Sequence, residues 1–267
     1  MNNIYEVLFF LQKEMIEPVA FGWFHWLCIG IMFAAIYFLY KKKDTHSEKQ
    51  LKIILGIYGG VVLVLEILKQ ISWTVTYDIA ISEFIYDYQW YAFPFQLCTT
   101  PMFVSLICLF LKKGKIRDCL LSYMAYTTIL GSIATIIMPD SCLVNDILVN
   151  FHTMWLHLGS FVVSVYLLMS GEVNINLQSW KKSIPVFLGF TTIANILNVI
   201  VYQSDVLNGE TFNMFYISPY FISELPVFNT IQQNVPYVIF LMTYILVLIL
   251  GSYLIFRIAR FINLRVR

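Results

Sequence analysis

The chain has 267 residues, 59% of them hydrophobic and 12% charged, with a mean hydropathy of +0.74 and a formal net charge of +1. A soluble domain carries about 25% charged residues, so this chain lacks the polar surface of a water-soluble globule. A balance near neutrality also gives no electrostatic footprint for nucleic acid.

Residues 1–19 lack the basic n-region of a cleaved signal peptide. Ile4, Leu8, Leu11 and Met15 recur at helical spacing, with Glu6, Lys13, Glu14 and Glu17 between them. The pattern predicts a short amphipathic helix lying in a membrane interface. Seven apolar segments follow, at about 20–40, 51–75, 93–111, 118–138, 147–170, 182–202 and 236–256. Each is close to the length a transmembrane helix needs. The expectation is an all-α polytopic membrane protein, with residues 20–267 forming one seven-helix domain.

Charge alternates along the connections. Lys41, Lys42, Lys43, Lys49 and Lys52 lie between the first and second segments, and Lys112, Lys113, Lys115 and Arg117 between the third and fourth. Lys181 and Lys182 precede the sixth, and Arg257, Arg260, Arg265 and Arg267 follow the seventh. The connections 76–92, 139–146 and 203–235 contain no Lys or Arg. The positive-inside rule then puts the N-terminus outside and the C-terminus in the cytoplasm of a plasma-membrane, multi-pass protein. Its expected partners are membrane lipids. No nucleic acid, protein partner, metal or cofactor is implied: Cys28, Cys98, Cys108, Cys119 and Cys142 form no CxxC pair and no zinc spacing.

Polar residues inside such segments must face protein or a cavity. The second segment carries Glu66, Lys69, Gln70 and Trp73 on one helical face. This reads either as a structural ion pair or as the charged wall of a binding cavity. The third opens with "PFQLCTTP" at 94–101. Pro94 suits a first helical turn. Pro101 is expected inside the helix, kinking it and freeing the carbonyl of Leu97 for a threonine hydroxyl or water.

Cys98 has three readings: an activated thiol, a partner for Cys142, or an inert side chain. A nearby cation and a helix N-terminus favour the first. The fifth segment carries Asn150, Thr153, His157, Ser160 and Ser164 as a regular stripe, with His152 on another face. His157 either bridges helices or serves a cavity. The sixth carries Thr191, Asn195, Asn198 and Tyr202. Run in alternating directions, these stripes meet at one depth in the outer half. The aromatic-rich connection 203–235, which includes Asn213, reads as a lid folded back over that site.

In chain order, Glu66, "FPFQLC" (93–98), "HLG" (157–159), Asn198 and "FNM" (212–214) resemble motifs of the YwaF-like bacterial integral membrane proteins, relatives of the transmembrane protein 164 acyltransferases. The resemblance covers most of the chain from the second segment onward. It departs at Gln96, where those proteins carry a histidine, and at Phe95, where the eukaryotic acyltransferases place their cysteine. The resemblance implies lipid acyl transfer or remodelling. Cys98 would hold the acyl group, with His157 as general base and Glu66 as orienting charge. Lys69, Gln96, Asn195, Asn198 and Asn213 would bind substrate. The alternative is a carrier or lipid-binding membrane protein without chemistry.

Overall fold

Side-chain caps start three of the long helices. The Ser47 hydroxyl accepts the Gln50 N–H at 3.2 Å, the Asp146 carboxylate accepts Val149 N–H at 3.0 Å, and the Asn176 amide accepts Ser179 N–H at 2.8 Å. Each satisfies a donor the helix itself leaves orphaned. The computed structural model describes residues 2–266, without the side chains of 2–4, 141 and 263–266. The side chains of Ile4 and Arg265, and the whole of Arg267, therefore lie outside what is described.

The helices are α1 (Asn2–Leu11), α2 (Trp23–Lys41), α3 (Glu48–Thr74), α4 (Thr100–Phe110), α5 (Lys115–Tyr123), α6 (Ile129–Ile137), α7 (Ile147–Met169), α8 (Leu177–Gln203), α9 (Phe228–Asn234) and α10 (Tyr237–Val266). A π-helical turn, Met124–Thr128, fuses α5 and α6 into one rod. Six units are long and apolar enough to cross a membrane: α2, α3, the α5–α6 rod, α7, α8 and α10 over Tyr237–Ile262. Phe33, Phe38, Ile57, Val64, Leu246, Leu250 and Leu254 are all exposed. Such a belt suits lipid and not water. The protein is therefore a multi-pass membrane protein.

The third apolar segment differs from its expected form. α4 has 11 residues, about 16 Å of helix, against the roughly 30 Å of a bilayer's hydrocarbon core. It begins at Thr100, so Pro101 sits in the first turn, where a missing N–H costs nothing. No helix precedes Pro101, and the expected kink is absent. The Leu97 carbonyl does receive a threonine, from Thr100 Oγ1 at 2.7 Å. Residues 93–99 are irregular.

Two further departures lie at the same end. Val75–Asp78 (β1) and Glu83–Tyr86 (β2) form an antiparallel hairpin, the one sheet among the described residues of an all-α fold. The N-terminal helix stops at Leu11, and the strand-like stretch after it pairs Glu14 with Asp146. Gln12 Nε2 ties this stretch to the carbonyls of Ser72 and Val75 at the end of α3, at 2.7 and 2.8 Å.

α7 is the central helix, packed against α2, α3 and α6. Gly159 permits its close approach to α3. A Cβ there would lie 2.9 Å from Tyr58 Cδ2, and Tyr58 donates its hydroxyl to the Leu156 carbonyl at 3.2 Å. At the basic end, buried Arg117 forks onto Glu48 at 2.6 and 2.9 Å and reaches Glu172 at 2.8 Å. His46 joins by Nε2 to Glu172 at 3.1 Å and by Nδ1 to the Tyr166 hydroxyl at 2.7 Å. This clasp binds the start of α3, the start of α5 and the α7–α8 turn.

Candidate functional site

Glu66 is 3% exposed and its neighbour Lys69 8%. Lys69 Nζ lies 2.8 Å from Glu66 Oε1, so the two ionisable groups of this face pair with each other. Gln70 Nε2 donates to the same oxygen at 2.8 Å and to the Ala92 carbonyl at 2.7 Å. Trp73 completes the face, with the Lys69 ammonium 5.7 Å from its ring centre. The second carboxylate oxygen faces His152, whose Nε2 is 2.8 Å away. That separation is within hydrogen-bond reach, so the imidazole and the carboxylate face each other in a buried place.

His152, and not His157, is therefore the histidine beside Glu66. His157 is half-buried and approaches the backbone of Gly131 in α6. Its stripe follows the same side: Ser160 Oγ is 3.4 Å from Thr128 Oγ1, and Ser164 donates to the Met124 carbonyl at 2.7 Å. Asn150 folds back onto the Val144 backbone.

Cys98 is a free thiol in the turn before α4. Glu66 and Lys69 lie close enough for their charges to act on it. The phenols of Tyr58, Tyr123, Tyr216 and Tyr244, from four different parts of the chain, stand in the same electrostatic range. Cys98, His157 and Tyr216 lie deep among the helices, yet each retains accessible surface.

The amides of this end grip the loop 212–217. Asn198 donates to the Met214 carbonyl at 3.0 Å and accepts its N–H at 2.7 Å. Gln96 donates to the Asn213 carbonyl at 3.0 Å and accepts Phe215 N–H at 2.7 Å. Asn213 spans its own loop, from Ser218 N–H to the Ile222 carbonyl. Asn195 accepts the Tyr237 hydroxyl at 3.0 Å. Phe215 and Tyr216 both adopt left-handed backbone, φ 60° and 57°. Consecutive non-glycine residues persist there only where surrounding bonds hold them.

These short motifs belong together in one larger pattern. A family model described as the TMEM164 family matches residues 20–256. The chain belongs to the TMEM164 family. No curated protein and no solved structure matches it.

In this TMEM164-family chain, then, "FPFQLC", Asn198 and "FNM" meet in space as two irregular segments clamped by amides. Irregular backbone at membrane depth is tolerated only where it is buried in protein or lines a cavity. Among the described residues no three His, Cys, Asp or Glu side chains are disposed to hold a metal. Sequence reasoning missed His152 and the four phenols. Tyr58 had a signal: with Val62, Glu66 and Lys69 it continues one buried stripe at i, i+4, i+8 and i+11. Tyr216 had none, because its position depends on the loop's path.

Proposed function

We propose that this TMEM164-family protein transfers acyl chains between lipids at a polar cavity in the half of the bundle opposite its basic end. The observation that carries this reading is a free, partly accessible thiol at an irregular helix start, within electrostatic range of a buried Glu66–Lys69 ion pair whose carboxylate also faces His152. A carboxylate beside an imidazole is the usual orienting pair for a base.

In the reaction, the Cys98 sulfur bonds to a lipid ester carbonyl carbon as its proton passes to a histidine. The alcohol of the lysolipid leaves with that proton, and an acyl thioester remains. The hydroxyl of a second lipid then attacks the thioester, its proton passing through the histidine to regenerate the thiol. His152, paired with Glu66, joins His157 as a candidate for that base. Gln96, Asn195, Asn198 and Asn213, expected to bind substrate, also hold the walls of the site in place. The motif order and the charge alternation support a YwaF-like bacterial protein of the plasma membrane, N-terminus outside, with loop 203–235 closing the site as a lid.

Incubating the purified protein with a phospholipid bearing a labelled acyl chain tests this. A hydroxylamine-labile mass increase on Cys98, lost with Cys98→Ala along with acyl exchange, is expected. Acyl exchange unchanged in Cys98→Ala rules out the thiol's role.

The rival reading, a carrier without chemistry, is favoured by one observation. Glu66 and Lys69 neutralise each other, as a pair does that a charged solute could divide. Solute uptake into proteoliposomes that Glu66→Gln abolishes and Cys98→Ala spares would establish it.

A further inference from the structure

We propose that the cleft between the first turn of α8 and the last turns of α10 is a headgroup site for an anionic phospholipid, separate from the site around Cys98. The cleft holds about 430 Å³ and is lined by Leu177, Tyr253, Phe256, Arg257, Arg260 and Phe261. Its chemistry is divided in the way a phospholipid is. Leu177 and the two phenylalanines are apolar; the two arginines, one turn apart, are exposed.

Several cations of the basic end are already engaged by carboxylates. Arg117 is sealed between Glu48 and Glu172, Lys182 lies 2.8 Å from Asp118, and Lys113 lies 3.7 Å from Glu48. Arg257 and Arg260 have no carboxylate within ion-pair distance among the described residues. Arg257 is instead oriented by Tyr253. Its Nη1 donates to the phenol oxygen at 3.3 Å, and its guanidinium lies 5.8 Å from the ring centre. The planar fork is thus held with donors to spare, in the geometry that suits a phosphate's paired oxygens.

The depth is right as well. Trp180 packs edge-on against Tyr253 at 5.0 Å and donates Nε1–H to Ser252 at 3.0 Å. A Trp–Tyr pair at a helix end marks the headgroup level of a bilayer. Leu254 and Ile258, on the neighbouring face of α10, are exposed apolar residues that continue into the lipid belt. A phosphate held by Arg257 and Arg260 would leave its acyl chains along that belt.

Native mass spectrometry of the full chain, titrated with phosphatidylglycerol or phosphatidylcholine, tests the assignment. Phosphatidylglycerol is expected to bind in preference. Arg257→Ala and Arg260→Ala should each weaken it roughly fivefold, and the double variant on the order of 25-fold. The control is Lys41→Ala/Lys42→Ala, exposed cations of the same end outside the cleft. Equal losses in the two double variants would mean that only the general positive charge attracts lipid, and would overturn the site. So would displacement of phosphatidylglycerol by millimolar inorganic phosphate, which would identify a simple anion site. A double Arg→Lys variant guards against misfolding: it keeps the charge and should retain part of the preference.

Discussion

Asn198 holds Met214 by both of its backbone groups, donating to the carbonyl at 3.0 Å and accepting the N–H at 2.7 Å. Both residues are 0% exposed. Asn198→Ala would leave two buried backbone groups without partners, at about 1–3 kcal/mol each. The expected loss is about 2–4 kcal/mol, read as a lower unfolding temperature in detergent. An unchanged transition would mean that water fills the gap and that the clamp is dispensable.

Gly159 tests the contact between α3 and α7. Its Cβ would stand 2.9 Å from Tyr58 Cδ2, closer than real contacts allow, and 3.1 Å from Cε2, and the ring sits in the core. Gly159→Ala should therefore cost about 1–3 kcal/mol through overpacking. Combining it with Tyr58→Leu, which removes the ring, should cost less than the two single losses added together. Strict additivity would show that the ring moves aside freely.

Breaking the buried ion pair should be worse than removing it. Glu66→Gln leaves the Lys69 ammonium buried without its carboxylate, a loss of about 3–5 kcal/mol. Glu66→Gln/Lys69→Met leaves no unpaired charge and should recover much of that loss. A coupling energy well above 0.5 kcal/mol in the double-mutant cycle supports the pairing. Additive losses would show that His152 or water carries the charge alone.

At the opposite end, Arg117 joins Glu48 and Glu172 through a fork. Lysine cannot reproduce that fork. Arg117→Lys is expected to destabilise by about 1–3 kcal/mol, and Arg117→Met by more, because the two carboxylates then lose their buried cation and keep only His46 and the exposed Lys113 beside them. Thermal unfolding of the two variants reads the order directly; a Met variant as stable as wild type would remove the clasp's structural role.

The Glu66 face was legible because one helical stripe carried it: Glu66, Lys69, Gln70 and Trp73 do share a face and contact one another. The apolar segments were legible for the same reason, since length and hydropathy decide them. His152 was not. A stripe on α7 points inward only by contrast with a lipid face, and α7 has protein on three sides. Both the His157 stripe and His152 are thus internal, and periodicity alone could not choose which meets Glu66. The start of α4 was misread because Pro94 and Pro101 both fit a first turn, and hydropathy counts an irregular buried segment as apolar helix. The β-hairpin did leave a signal, in the β-branched and aromatic residues around an Asx turn where Asp78 accepts Ala80 N–H at 2.8 Å.

Tyr216 follows from the loop geometry. Gln96 fixes Phe215 N–H at 2.7 Å, Phe95 stacks on Phe215 at 5.9 Å, and the left-handed turn then presents the Tyr216 phenol toward the surroundings of Cys98. That hydroxyl makes no hydrogen bond to another described residue, while Tyr123, near the same thiol, is satisfied by Thr100 at 2.7 Å. Under the proposed acyl transfer, a phenol with a free proton in electrostatic range of the thiol would stabilise the oxyanion that forms when the thiol attacks an ester. Tyr216→Phe keeps the ring and removes only that donor. Stability should change by less than about 0.5 kcal/mol, since no intramolecular bond is lost. The acyl-transfer rate should fall on the order of 100-fold with little change in KM. A Tyr216→Phe protein that forms the Cys98 thioester at the wild-type rate would leave Tyr216 as a wall of the site and nothing more.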